Sequence, residues 1–323
     1  MFDYSIYGLR LRSSAAIPTL VPVTEPTGTA DLVVDFAPAA DAAAAGRDQA
    51  RDWYVSKATE ADEPILRIQR LEASGDLLLR YPDGMRFRID PSGSSVIASI
   101  PDGLTIEDAA LYLLGPVLGV VLRLRGDVCL HGSVVELDGG AVGFIGPQGA
   151  GKSTTAAALA AAGQRVLSDD LLVLRRKGGR IHAEPGYPLL RLWPESVAAL
   201  YGSPEARPRL VPGWEKRYAD LAATEQFAPE HLPLRAIYAL GERCTGLETA
   251  VTESLPPRRA LLELVANSYA GRLPGTSARQ IEFELLSRVI TEVPVRRLIL
   301  SEDWTTVSAL GEVLRDDLAK RAT

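Results

Sequence analysis

The chain has 323 residues, 46% of them hydrophobic and 24% charged, with a formal charge of −6. That is the composition of an ordinary globular protein, long enough for two domains or for one with a smaller appendage. Both signs of charge are spread along the sequence without a Lys/Arg run, which argues against a nucleic-acid partner. The first fourteen residues, MFDYSIYGLRLRSS, carry an acid at position 3 and no apolar run flanked by basic residues, so no signal peptide is expected. Cys129 and Cys244 are far apart and form no CxxC pair, which predicts neither a disulfide framework nor a zinc cluster and fits a reducing cytoplasm.

Residues 1–104 predict a β-rich N-terminal domain. Met85, Phe87 and Ile89 alternate with Arg86, Arg88 and Asp90, as a half-buried strand does. Tyr81-Pro82-Asp83-Gly84 supplies the turn before it, and Pro91-Ser92-Gly93-Ser94 the turn into a further strand at 95–100. Together with the strand before the first turn, these predict an antiparallel meander. The tract 39–46 (AADAAAAG) reads as a surface helix or loop. After Pro101-Asp102-Gly103 comes the uncharged stretch 109–122, too short to cross a bilayer and interrupted by Gly115 and Pro116. It predicts a kinked, buried helix rather than a membrane segment.

A second domain, 105–323, has a mixed α/β pattern. Strands are expected at 128–137, 141–145 and 165–174, with a helix at 153–162. Further on come a strand at 235–240, helices near 258–270 and 279–291, a strand at 295–300 and a terminal helix from about 304.

Gly146-Pro147-Gln148-Gly149-Ala150-Gly151-Lys152-Ser153-Thr154 fits G-x-x-x-x-G-K-[ST]. The apolar strand AVGFI runs into its first glycine, and TTAAALAAAG leaves it as a helix ending at Gly163. Strand, glycine loop and helix in that order turn backbone N–H groups and the helix N-terminus towards phosphate oxygens. Gly146, Gly149, Ala150, Gly151, Lys152, Ser153 and Thr154 are therefore candidates for holding the phosphates of ATP. Lys152 would reach the β- and γ-phosphates and the Ser153 hydroxyl would ligate Mg²⁺.

Asp169 and Asp170 follow in the apolar run 166–174. Neighbours on a strand point to opposite faces, and two carboxylates in apolar surroundings require a compensating cation. A metal held by the phosphates would serve one of them and leave the other free to accept a proton from a hydroxyl. His131 follows an apolar strand, from which its side chain could reach the loop. Trp193 and Trp214 lie in proline-containing segments suited to a cavity mouth, and 203–231 is expected to be an acceptor-binding or lid loop. His182 and His231 have no partner at metal-ligand spacing.

Leu130-His131-Gly132-Ser133, the stretch 143–154, Gly163 and Ser168-Asp169-Asp170 together resemble the HPr kinase/phosphorylase family and its relatives, including kinases that modify biosynthetic precursor peptides. A looser likeness continues through Pro185-Gly186-Tyr187-Pro188, Arg191-Leu192-Trp193-Pro194 and Glu215-Lys216-Arg217. The resemblance implies an α/β, mixed-sheet P-loop kinase domain of the phosphoenolpyruvate-carboxykinase-like kind. It implies ATP and Mg²⁺ as nucleotide and cofactor, Asp170 as proton acceptor from an acceptor serine, His131 in the active centre, and Asp169 assisting metal binding or orientation. Family members form hexamers, so a homo-oligomer is one expectation, which this chain's different N-terminal region leaves open.

The chain also departs from the pattern. The V-R-P-G-R-N stretch and the glutamate-arginine-glycine segment of HPr kinases are missing, which puts a phosphorylase activity and the HPr substrate in doubt. Lys216 and Arg217 are the candidates to supply the missing positive charge around a transferring phosphoryl group. The sequence thus predicts a serine (or threonine) kinase acting on a protein or peptide. The alternatives are a nucleotide-binding regulatory protein and a small-molecule kinase.

Overall fold

The computed structural model describes residues 1–24, 28–38, 49–60, 62–209, 211, 214–269, 271, 273 and 275–320, leaving aside the side chains at 276, 277, 304 and 305. The alanine-rich tract 39–46, positions 212 and 213, and the end of the expected helix at 270 lie outside the described residues. The chain is a mixed α/β protein that divides into two compact units, 1–127 with 270–279 and 128–269 with 280–323. The division falls between Asp127 and Val128, so the helical segment after residue 104 is grouped with the N-terminal strands.

The first unit is built on an eight-stranded sheet. In chain order its strands are β1 (Phe2–Ile6), β2 (Leu9–Ser13), β3 (Leu32–Pro38), β4 (Ala50–Val55), β7 (Arg67–Leu71), β8 (Leu77–Arg80), β9 (Arg86–Ile89) and β10 (Ser95–Ile100), with a short hairpin, β5 (Thr59–Glu60) and β6 (Glu63–Pro64), between β4 and β7. Their spatial order is β1-β2-β3-β10-β9-β8-β7-β4. β7 to β10 form the expected antiparallel meander, with Phe87 and Ile89 fully buried on its inner face. The meander does not extend over the whole region. β3 pairs in parallel with both β2 and β10, a pairing that needs a crossover and leaves no local turn signature.

The uncharged stretch forms α1 (Ile106–Tyr112), a π-helical turn at Leu113–Val117 containing Pro116, and α2 (Leu118–Leu124). Proline has no N–H to give and its ring crowds the preceding turn, which accounts for the widened helix. Thr105 caps α1 in a capping box with Asp108. No helix among the described residues is long and apolar enough to cross a membrane.

The second unit is a mixed sheet. Its strands are β11 (Val128–Leu137), β12 (Gly140–Ile145), β13 (Val166–Ser168), β14 (Leu171–Lys177), β15 (Arg180–Glu184), β18 (Leu232–Leu240), β19 (Val251–Ser254) and β20 (Val295–Ile299), and a separate two-stranded pair joins β16 (Leu189–Leu192) to β17 (Arg217–Asp220). β12 pairs antiparallel with β11 and parallel with β18, so it has neighbours on both edges. Every one of its residues is buried, as expected of a central strand covered on both faces.

One layer over this sheet includes α3 (Lys152–Ala161), whose Ala156, Ala157, Leu159 and Ala160 pack with Val142, Phe144 and Tyr238. Small alanine side chains let the helix lie close to the strands that lead into it. On the other side, α5 (Pro257–Ala266) and α6 (Thr276–Glu292) bring Leu264, Leu286 and Val289 to a second apolar cluster with Leu130, Leu172 and Ile237. The terminal helix is α7 (Leu310–Ala319), preceded by a 3₁₀ segment from Trp304.

Two expectations are corrected here. The run 165–174 is not one strand: it breaks at Asp169-Asp170, where Asp170 adopts φ +80°. The stretch 203–231 is not simply a loop, since 217–220 pairs with β16 in register Leu192↔Arg217 to Leu189↔Asp220.

Candidate active site

The cavity at the head of α3 is assembled from segments distant in sequence. β12 ends at Ile145, and the chain turns through the glycine loop into α3, with Gly149 at φ +83° and Gly151 at φ +96°. These left-handed conformations suit glycine. A Cβ added at Gly149 would meet no atom within 4 Å, and Gly149 lines the cavity, so the backbone there stands open towards it.

The Lys152 side chain is buried, its ammonium donating to the carbonyls of Gly146 at 2.8 Å and Pro147 at 2.9 Å. Burial lowers its pKa, the charges of Asp170 and Asp169 oppose that shift, and Lys216 adds to it. Ser153 and Thr154 also line the cavity, Thr154 with its hydroxyl 2.9 Å from that of Ser196 on α4 (Pro194–Tyr201). Gly146 and Ala150 lie behind this surface, and a Cβ on Gly146 would come within 3.2 Å of the Ala150 methyl.

The break between β13 and β14 determines where the two aspartates go. β11 pairs with β13 at Val134↔Ser168 and with β14 at His131↔Leu171, so Gly132 and Ser133 face the irregular Asp169-Asp170 step. In a regular strand the two carboxylates would take opposite faces. The positive φ at Asp170 re-aims the chain, and both line the same cavity. A non-glycine residue in this region stores about 1–3 kcal/mol of strain. The Asp170 carbonyl accepts from the Gly132 amide at 3.2 Å, which helps hold the conformation.

The two carboxylates differ in their surroundings. Asp169 is 4% exposed; its Oδ1 accepts from the Ser133 hydroxyl at 2.7 Å and its Oδ2 from the Arg191 amide at 3.0 Å. Asp170 has a quarter of its side chain exposed, and its Oδ1 lies 3.2 Å from Nδ1 of His131. That nitrogen is also 3.0 Å from the Asp170 carbonyl oxygen. No donor among the described residues reaches Oδ2 of Asp170. Burial would raise the Asp170 pKa, but the hydrogen bond and charge of His131, with the charges of Arg191 and Lys216, outweigh it and bring it to about 2.

The cations close the far wall. Lys216 lines the cavity and its ammonium lies 5.0 Å from the centre of the Trp193 ring, which is 43% exposed. Arg217, the other half of the expected pair, is not brought into the cavity. Its guanidinium is buried and donates to the carbonyls of Pro204 at 3.1 Å and Glu215 at 2.9 Å. Sequence reasoning did not assign Ser133 or Arg191 a role, although both lie in stretches it singled out. Trp214 does not line the cavity. His182 and His231 face each other with ring centres 5.4 Å apart, away from this site.

The cavity volume is about 150 Å³. That is below the ~300–1,000 Å³ of pockets that take a whole small molecule, and it suits a phosphoryl portion better. For a metal, no group of three or more His, Cys, Asp or Glu side chains is placed to hold one among the described residues. Ser153 with a single carboxylate is a donor set that fits Mg²⁺, which retains waters and phosphate oxygens and takes only one or two protein ligands. It does not fit a closed zinc site. Both oxygens of Asp169 accept hydrogen bonds, which fixes the orientation of its carboxylate.

No family model matches the chain, and no curated protein matches it. Among solved structures it is similar to the HPr(Ser) kinase/phosphatase from Coxiella burnetii, at 10% identity and a TM-score of 0.35, over 60% of this chain and 99% of that one. A likeness that distant assigns no residue and no activity here. The fold and the site, taken on their own terms, define a mixed α/β protein with a glycine loop and an Asp-His pair on one cavity.

Proposed function

We propose that the chain is an ATP-dependent kinase that phosphorylates a serine or threonine hydroxyl of a protein or peptide, with a biosynthetic precursor peptide as one candidate acceptor. The observation that supports this reading best is that Lys152, Ser153 and the Asp170-His131 pair share one small cavity. The loop amides and the Lys152 ammonium, exchanging its two carbonyl partners for phosphate oxygens, would hold the triphosphate. Ser153 and a carboxylate oxygen of the aspartate pair would hold Mg²⁺, which when bound neutralises charge on the β- and γ-phosphate oxygens.

Asp170 is ionised at neutral pH and its Oδ2 is open, so it would accept the acceptor hydroxyl's proton while His131 fixes its orientation. The acceptor oxygen forms a bond to the γ-phosphorus, the bond to the bridging oxygen breaks, and ADP leaves with that electron pair. Lys216 would stabilise charge on the transferred group. The N-terminal β-rich unit would recognise the acceptor, and the protein would work in the cytoplasm.

A second reading, a nucleotide-binding regulator without transfer, is favoured by one observation. An aspartate with a pKa of about 2 is a weak base, far from the pH at which it would work. Incubation with γ-labelled ATP, Mg²⁺ and the peptides encoded beside the gene, followed by mass spectrometry, separates the two. Labelled serine or threonine that disappears in Asp170→Asn supports the kinase; tight ATP binding with no labelled acceptor supports the regulator.

A further inference from the structure

The N-terminal sheet carries a cavity of about 640 Å³ that plays no part in the site above. Three of its lining residues are arginines on neighbouring antiparallel strands: Arg67 on β7, Arg80 on β8 and Arg86 on β9. They stand in one cross-strand row, with register Arg67↔Arg80 and Arg80↔Arg86. Directly opposed like charges destabilise a sheet, so a row of three needs compensation.

Arg67 has it, in the 2.6 Å ion pair with Asp52. Among the described residues no carboxylate lies within ion-pair distance of Arg80 or Arg86, although Asp62 and Glu63 line the same cavity. Nε of Arg80 is buried without a hydrogen-bond partner, and so is the hydroxyl of Tyr81, a lining residue only 8% exposed. Leaving a buried donor unmet costs about 1–3 kcal/mol. The Arg80 pKa is lowered, first by burial and then by the charges of Arg86 and Arg67. The unmet Arg80 donor and the two guanidiniums of Arg80 and Arg86 without a carboxylate partner, all on residues lining one cavity, point to the same absent partner, a dense negative charge that accepts hydrogen bonds.

We propose that this cavity is an anion site that takes a compact molecule bearing several oxyanion oxygens, a phosphate ester or a polycarboxylate. Its oxygens bind the guanidiniums of Arg80 and Arg86, with Arg67 held to the side by Asp52. The volume lies within the ~300–1,000 Å³ range of small-molecule sites, so a ligand larger than a free ion fits. The proposal is independent of the nucleotide reading, because the cavity shares no residue with the glycine-loop site.

Titration calorimetry on the full chain at fixed ionic strength tests it, with pyrophosphate and citrate as probes. The Lys152→Ala background removes the glycine loop as a competing phosphate site. Saturable binding of either probe is expected, weakened at least about tenfold by Arg86→Gln, whose exposed side chain puts folding at little risk, and by Arg80→Gln. Arg70→Gln, an exposed change on β7 outside the cavity, leaves binding unchanged. Binding of pyrophosphate alone, or of citrate alone, supports the site and identifies which oxyanion it takes. Absence of saturable binding of both, or binding that survives the Arg80→Gln/Arg86→Gln double change, overturns the proposal. Failure here does not touch the kinase reading, whose test is phosphate transfer.

Discussion

The Ser133 hydroxyl donates to Oδ1 of Asp169 at 2.7 Å, joining two buried polar groups that lie 36 residues apart. Ser133 is on β11, opposite the break between β13 and β14, and the Arg191 amide holds the other oxygen of the same carboxylate. Asp169 is thereby fixed from two sides, and its position determines where Asp170 emerges. Ser133→Ala removes one of these donors and leaves a buried charged oxygen short of a partner, at a cost of about 1–3 kcal/mol. The expected result is a thermal midpoint lower by several degrees, at ~2–4 °C per kcal/mol for a domain of this size. If Asp169 orients its neighbour, phosphate transfer falls in this variant while ATP affinity stays within about twofold. A parallel loss of ATP affinity would instead make Ser133 part of the nucleotide site.

Asp170 has a folded pKa of about 2 against an ordinary 3.8. The folded state therefore binds this proton less readily than the unfolded state. Stability from its contacts with His131 and the nearby cations is fully present above about pH 4 and disappears as pH falls through 2. The shift corresponds to about 2 kcal/mol, a size appropriate to a side chain only a quarter exposed. Asparagine tolerates the left-handed backbone at this position, so Asp170→Asn keeps the turn. Urea unfolding at pH 5 and pH 2.5 should show the wild type losing more stability than Asp170→Asn by roughly 1–2 kcal/mol. Equal losses in the two proteins would mean that the carboxylate is not held by these cations.

Much of this site is local and was legible as sequence. An apolar strand, three glycines, a lysine and an alanine-rich helix are contiguous, and their order alone places Lys152 and Ser153 at a helix N-terminus. The Asp169-Asp170 step was only partly legible: Ser168-Asp169-Asp170 are turn-forming residue types, but the apolar residues on both sides of them read as one continuous strand. The break lies opposite Gly132 and Ser133 of β11, between the Val134↔Ser168 and His131↔Leu171 pairings, and the register shift with β13 comes a step further on, between Val134 and Val135. Arg191 was missed as a functional group for a similar reason: its contribution is partly a backbone amide 22 residues from Asp169, and no side-chain pattern encodes that. The parallel pairings of β3 in the first unit are equally silent, since no hairpin turn announces them.

Lys152 donates to two carbonyls of its own loop, and ATP would have to draw it away from them. Lys152→Ala removes the loop's side-chain cation without touching its glycines. In differential scanning fluorimetry, ATP at a hundred times its Kd should stabilise the wild type by about 2.7 kcal/mol and leave Lys152→Ala almost unmoved. A variant stabilised by ATP as much as the wild type would place the nucleotide elsewhere.

Lys216 and Arg217 are adjacent in sequence and cannot do the same work. The Lys216 ammonium stands over the Trp193 ring on the cavity wall, while Arg217 begins β17 opposite Leu192 and spends its guanidinium on the Pro204 and Glu215 carbonyls. Lys216→Met keeps the apolar stem of the side chain and removes only the charge. If that charge stabilises the transferring phosphoryl group, turnover falls by about 10²-fold or more with little change in thermal midpoint. Arg217→Met leaves two carbonyls without their donor, so it should lower the midpoint by several degrees and affect turnover of the folded fraction far less. Measuring kcat and melting temperature for both variants separates charge at the site from support of the loop that carries it. A reversal, with Arg217→Met lowering kcat and Lys216→Met lowering only stability, would move the phosphoryl-stabilising role to Arg217 and require this loop to rearrange when substrate binds.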